Sequence, residues 1–120
     1  MRDDSKIKLG VTGVGVDIIE IHRFGSLCFP SRIAELVLTP IEYVEFLNHA
    51  NRVMYLASRF AAKEAVIKAY PSVLTYRDIE ITKDGKKPRA RILSGGATHP
   101  SVLVSISHST DYVAGFALAL

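Results

Sequence analysis

The segment RFAAKEAVIKAY, Arg59 to Tyr70, sets Arg59, Lys63, Glu64 and Lys68 among residues that are otherwise almost all apolar. At about 100° per residue, Leu56, Phe60 and Ile67 fall on one stripe of a helix, with Lys63 and Glu64 inside or beside it. Ala57, Ala61, Ala65 and Ala69 form the opposite side and are small enough for another backbone to pack closely. A helix of this kind is expected to be covered on two sides. Charges on it are costly unless they are paired or coordinate something. A plainer account makes Glu64 and Lys68, at i,i+4, a weak solvent pair worth roughly a few tenths of a kcal/mol.

A second carboxylate, Asp17, ends the stretch VTGVGVDI, whose Gly13 and Gly15 leave that face bare. If the fold brings Asp17 and Glu64 together, two carboxylates with few nitrogen or sulfur ligands suit a hard cation such as Mg²⁺, which keeps waters and takes phosphate oxygens. Zinc fits poorly, because one cysteine and no close histidine pair leave its usual ligand spacings unfilled. Arg59, Lys63 and Lys68 would place positive charge beside such a metal, a combination that suits a polyanionic substrate such as a diphosphate. His108, after Ser107, could bond a phosphate or shuttle a proton, or be an ordinary turn histidine. Arg23 is open between a surface cation near a helix end and a contact for an acidic partner. Lys83, Lys86, Lys87, Arg89 and Arg91 surround a tight turn and read as a solvated hairpin tip. A Ser/His/Asp hydrolase is disfavoured, since SISHS lacks a glycine-flanked nucleophile elbow.

The elements that must position these groups are readable in order. VTGVGVDI is a β-branched strand, its glycines open to close approach by another group. DIIEIHRF has helical character, with Asp17 and Glu20 in capping-box spacing, so Asp17 is also a candidate helix cap. A short helix over SRIAELVL, capped by Ser31, follows. TPIEYVEFLNH carries a strong start signal in Thr39, Pro40 and Glu42. A long helix runs from about Arg52 to Tyr70 and stops at Pro71. DIEITKDGKKPRARIL and VLVSISHSTDYVAGFALAL each read as two strands around a turn, at Asp84-Gly85 and near Ser109 to Asp111. The result is an α+β fold with a mostly antiparallel sheet packed on a long helix.

With 120 residues, 48% of them hydrophobic, the chain is expected to form a single domain spanning residues 1–120, with residues 1–10 a flexible N-terminal extension. The single cysteine, Cys28, forbids an internal disulfide and suggests a reducing compartment. No apolar run approaches the roughly 20 residues of a membrane span, and the start lacks a signal-peptide apolar region. A cytoplasmic protein is the expectation. The net charge of +3 permits an acidic partner, while no nucleic-acid-binding motif is present.

Three segments together, GVGVDIIEIHRF (Gly13–Phe24), RFAAKEAVIKAY and VSISHSTDYVAGFAL (Val104–Leu118), closely resemble the holo-acyl-carrier-protein synthase family of 4′-phosphopantetheinyl transferases. LTPIEY and DIEI with GKKP fit the same family in the same order. The resemblance implies a reaction: transfer of the phosphopantetheine arm of coenzyme A to a serine of an apo acyl carrier protein, with release of adenosine 3′,5′-bisphosphate, in support of fatty acid biosynthesis. It implies that Asp17 and Glu64 hold Mg²⁺ on the diphosphate and that Lys68 acts in the transfer beside Glu64. It also implies that Arg59, Lys63 and His108 line the coenzyme A site and that Arg23 meets the acidic carrier protein. Members are similar in being homotrimers with active sites between subunits. The chain departs from the family in one segment: YPSVLTYRD replaces a Gly-Thr-Gly-like loop and contains no glycine, so its backbone cannot approach phosphate in the same way. Two rivals from other classes are a non-catalytic coenzyme A-binding module and a structural trimer. Neither gives a reason to keep both Asp17 and Glu64.

Overall fold

The computed structural model describes residues 10–25, 30–94 and 101–120. The N-terminal extension up to residue 9, Cys28 and the side chain of Ser31 lie outside the described residues. Strand β1 (Gly13–Glu20) leads into a short helix α1 (Ile21–Gly25); α2 (Pro30–Val37), α3 (Pro40–Asn48) and the long α4 (Arg52–Ala69) follow. A single 3-10 turn, Tyr76–Asp78, then delivers the chain to β2 (Ile79–Asp84), β3 (Lys87–Ile92), β4 (Val102–His108) and β5 (Tyr112–Ala119). The α+β layout is as the sequence indicates, with the strands divided between two antiparallel sheets, β1-β5-β4 and β2-β3.

Both hairpins form. Gly85, at φ +65°, takes the first loop position between β2 and β3, where a two-residue turn matches strand twist only with positive φ. The expected helix over DIIEIHRF forms only in its second half. β1 continues to Glu20, pairing Asp17 with Gly115 and Glu20 with Tyr112. Asp17 is therefore a strand residue and not a helix cap; the ladder to β5 outweighs the local capping signal. The second helix starts at Pro30, one residue ahead of the expected Ser31 cap.

Helix α4 is the axis of the molecule, buried on most sides. Its alanine side meets the sheet at backbone distance. A Cβ on Gly15 would lie 1.9 Å from the Ala65 carbonyl oxygen, one on Gly13 1.9 Å from that of Ala69, and one on Gly115 2.5 Å from that of Ala61. The bare face of β1 thus accepts the ridge of α4. Leu56, Ala57 and Ala61 join Ile19, Phe24, Phe46 and Val113 in one cluster, and Ala62, Ala65 and Val66 join Ile79, Ile81 and Ala117 in another.

Thr39 caps α3 with both bonds of a capping box, the Glu42 amide donating to Thr39 Oγ1 at 3.4 Å and the Thr39 amide to Glu42 Oε1 at 2.9 Å. Among the described residues no helix is long and apolar enough to cross a membrane.

Candidate active site

Alternation along β1 turns Gly13, Gly15, Asp17 and Ile19 toward α4, and in-register Gly115 leaves room beside Asp17. On α4, Glu64 and Lys68 stand one turn apart, flanking the Ala65 carbonyl against which Gly15 packs. Strand and helix thereby bring Asp17 and Glu64 onto one cleft of about 710 Å³, whose lining also includes Glu20, Arg23, Phe60 and Tyr76. Two acids distant in sequence share a site because two glycines let their backbones approach.

Each carboxylate has one oxygen engaged. Lys68 Nζ lies 3.2 Å from Asp17 Oδ1 and donates to the Val16 carbonyl at 2.9 Å, with Asp17 only 19% exposed. The Tyr76 hydroxyl donates to Glu64 Oε1 at 2.6 Å. That bond, with burial and the nearby charges of Glu64 and Asp17, pushes the Tyr76 phenol up to about 12. Among the described residues no donor is bonded to the second oxygen of either carboxylate, and no three His, Cys, Asp or Glu side chains cluster. Two oxygens from two carboxylates suit Mg²⁺, which fills its remaining positions with water and substrate oxygens.

Arg23, on α1, lines the same cleft. His108 does not. It ends β4 on the far side of β5, in register with Val113, and is exposed. Arg59 is buried with its guanidinium 4.1 Å from the centre of the Tyr55 ring, and its Nε has no hydrogen-bond partner among the described residues. Ser105 and Ser107 are the exposed side of β4.

Lys63 is placed elsewhere. Its ammonium, with no exposed surface, contacts Glu42 Oε1 at 2.5 Å and donates to the Val37 carbonyl at 2.7 Å. Glu42 Oε2 accepts from the Ile81 amide at 2.7 Å, and Thr39 Oγ1 donates to Glu80 at 2.8 Å. Burial pushes the Lys63 ammonium down from its usual range, opposed by Glu42. The structure therefore brings Asp17, Glu64 and Lys68 together but ties Lys63 into a network between α2, α3, α4 and β2, where it has no surface for a cosubstrate.

Tyr76 is the site residue that sequence reasoning missed. It lies in the glycine-free segment after α4, where nothing local marks a phenol as facing a carboxylate of the preceding helix. The Thr75/Asp78 pattern at its turn was the available signal: the Thr75 amide and hydroxyl bond Asp78 Oδ2 at 2.7 and 2.9 Å and hold that carboxylate below its ordinary range.

Comparison with known proteins gives the family and the fold. The profile of the 4′-phosphopantetheinyl transferase superfamily matches residues 13–117. A holo-[acyl-carrier-protein] synthase of Geobacillus kaustophilus is 42% identical over 111 residues, covering 85% of this chain and 83% of the relative. One from Bacillus velezensis is 36% identical, covering 87% and 91%. Among solved structures, the holo-[acyl-carrier-protein] synthase of Neisseria meningitidis superposes with TM-score 0.80 at 32% identity, covering 92% of this chain and 98% of that one. The Bacillus anthracis synthase in complex with CoA (3′,5′-ADP) gives 0.79 at 29% identity, covering 91% and 96%.

Proposed function

The chain belongs to the 4′-phosphopantetheinyl transferase superfamily, and from that premise we propose that it moves the 4′-phosphopantetheine group of coenzyme A to a serine of an apo acyl carrier protein, with Mg²⁺ as cofactor, in support of fatty acid biosynthesis. The observation that carries the reading is the arrival of Asp17 and Glu64 on one cleft with Lys68 at hand. In the reaction the serine oxygen attacks the phosphorus that bears pantetheine. The bond from that phosphorus to the bridging diphosphate oxygen breaks, adenosine 3′,5′-bisphosphate leaves, and the serine proton is released.

Asp17 and Glu64 would hold the cation through their second oxygens. Bound there, Mg²⁺ supplies a fixed positive charge against the diphosphate. Lys68, half-exposed beside Asp17, adds a mobile positive charge for the leaving phosphate. Little covalent chemistry falls to the protein; alignment and fixed charge lower the barrier. Losing one such contact should cost about 3 to 4 kcal/mol.

Arg23, on the rim of the same cleft, is suited to meet an acidic carrier. Arg59, buried with its guanidinium against Tyr55, is kept beside the coenzyme A site on the family resemblance. His108 belongs to the coenzyme A site only through a neighbouring copy, which fits a homotrimer with sites between subunits. The exposed apolar face of the β1-β5-β4 sheet supports that assembly. Lys63 is left out of the coenzyme A set on geometric grounds. The reading takes residues 1–120 as one transferase domain in the cytoplasm, a setting suggested by the single cysteine.

The test is incubation with apo carrier protein, coenzyme A and Mg²⁺, followed by mass spectrometry of the carrier. A phosphopantetheine-sized gain is expected and should vanish with EDTA. Glu64→Gln should keep the wild-type circular dichroism spectrum and lose most of the transfer. Near-normal turnover in that variant would sink the assignment.

A further inference from the structure

We propose that Tyr76 is a positioning residue for Glu64: its hydroxyl fixes one carboxylate oxygen and so reserves the other, as a single ligand, for the divalent cation. This inference rests on the function proposed above and adds to it a determinant of which cation the site accepts.

The tyrosine is held on three sides. Its backbone sits in the 3-10 turn closed by the Thr75 and Asp78 bonds, and the Leu93 amide donates to the Asp78 carbonyl at 2.7 Å. Immediately after the turn, Ile79 and Ile81 are wholly buried against α4. The ring packs on Phe60 with centroids 5.3 Å apart. With backbone and ring fixed, the hydroxyl has one place to be, 2.6 Å from Glu64 Oε1.

A carboxylate on a helix surface can otherwise turn about its last torsion and offer either oxygen or both. Mg²⁺ requires near-octahedral geometry at short range, whereas Ca²⁺ accepts bidentate carboxylates and variable coordination. Engaging Oε1 with a hydrogen bond disfavours the bidentate mode. It therefore favours the smaller cation. Partners of this kind commonly change metal affinity 10–100-fold, about the range expected here. The glycine-free segment after α4 thus does not present backbone to phosphate; it presents a phenol to a metal ligand.

The experiment measures free Mn²⁺ by electron paramagnetic resonance over the full chain with coenzyme A present, with Mg²⁺ and Ca²⁺ as competitors. Tyr76→Phe keeps the ring on Phe60 and removes only the oxygen. Expected results are Mn²⁺ binding about 10–100-fold weaker than wild type, a melting temperature close to wild type, and Ca²⁺ gaining as a competitor relative to Mg²⁺. Tyr76→His, which restores a ring donor, should recover part of the affinity and serves as the probe if the Phe variant is unstable. Unchanged Mn²⁺ affinity and Mg²⁺/Ca²⁺ ratio in Tyr76→Phe, with binding lost in Glu64→Gln, overturn the role of Tyr76 alone. Wild-type protein that binds no Mn²⁺, or binds it equally well as Glu64→Gln, overturns the metal reading of the cleft and this inference with it.

Discussion

Lys63 and Glu42 form a 2.5 Å ion pair in which neither side chain keeps any exposed surface. The pair joins the middle of α4 to the first turn of α3, and through the Ile81 amide it also ties in β2. It explains why a lysine stands in the apolar stripe of α4. Its neighbour Glu64 faces the cleft instead, so consecutive charges serve two different purposes, one structural and one at the site.

Removing one member of such a pair leaves the other buried and uncompensated, which costs about 3–5 kcal/mol. Lys63→Met should therefore lower the melting temperature strongly, and Glu42→Gln in the same chain should return part of the loss. Titration of coenzyme A with the folded protein should show an affinity close to wild type. A large loss of coenzyme A affinity without loss of stability would return Lys63 to the ligand site.

The approach of β1 to α4 has no slack. Gly15→Ala would set a methyl group 1.9 Å from the Ala65 carbonyl, and because both sides are backbone, neither can turn away. Overpacking of this kind costs about 1–3 kcal/mol, occasionally more, and here it also shifts Asp17, two residues on. Gly25→Ala is the control, since among the described residues its Cβ would come no nearer than 4.0 Å, to Val53 Cγ1. Chemical denaturation of the two variants should separate them clearly, and equal midpoints would contradict the close packing.

Much of this was legible because local chemistry marks it. Thr39, Pro40 and Glu42 announce α3, Asp84-Gly85 a hairpin, and the alanines of α4 with Gly13 and Gly15 a backbone contact. Asp17 misled as a helix cap because capping spacing is short-range, whereas the pairing with Gly115 that decided its conformation spans the whole chain. Lys63 misled for a related reason. A buried lysine and a ligand lysine look alike along a helix, and only the fold shows that the capping glutamate of α3 is its partner. Tyr76 was missed because the Thr75/Asp78 pattern marks only its turn, while its meaning lies in a single hydrogen bond across two elements.

Tyr55 offers a test by pH. Burial, followed by its 2.7 Å bond to Glu45, raises its phenol well above the ordinary tyrosine range. The native state then keeps a proton that the unfolded chain releases. The contribution to stability is fully present below about pH 10 and is lost as pH rises through the folded value. Tyr55→Phe should flatten the fall of stability above pH 10, followed by urea denaturation, and should remove one late-ionising phenol from the absorbance titration. An unchanged alkaline slope would show that Tyr55 ionises normally.

The outer face of the three-stranded sheet supplies the last prediction. Register places Val16 opposite Phe116 and Val14 opposite Leu118, with Leu103 beyond. Val14, Val16, Ile18, Leu103 and Phe116 are exposed, Val16 by 60% and Ile18 by 68%. A contiguous apolar sheet face of this kind marks an association surface, and the opposite face of the same strands is already spent on α4. On the homotrimer proposed above, wild-type protein should elute as one trimeric species by size-exclusion chromatography with light scattering. Val16→Asp combined with Ile18→Asp should yield a folded monomer, because both side chains lie off the core. On the same assembly His108 would reach the cleft of a neighbour, so His108→Ala should lose coenzyme A affinity while keeping the wild-type elution volume and circular dichroism spectrum. A wild-type monomer with full transfer activity would remove the assembly from the reading and leave the pairing of Asp17 with Glu64 standing within one chain.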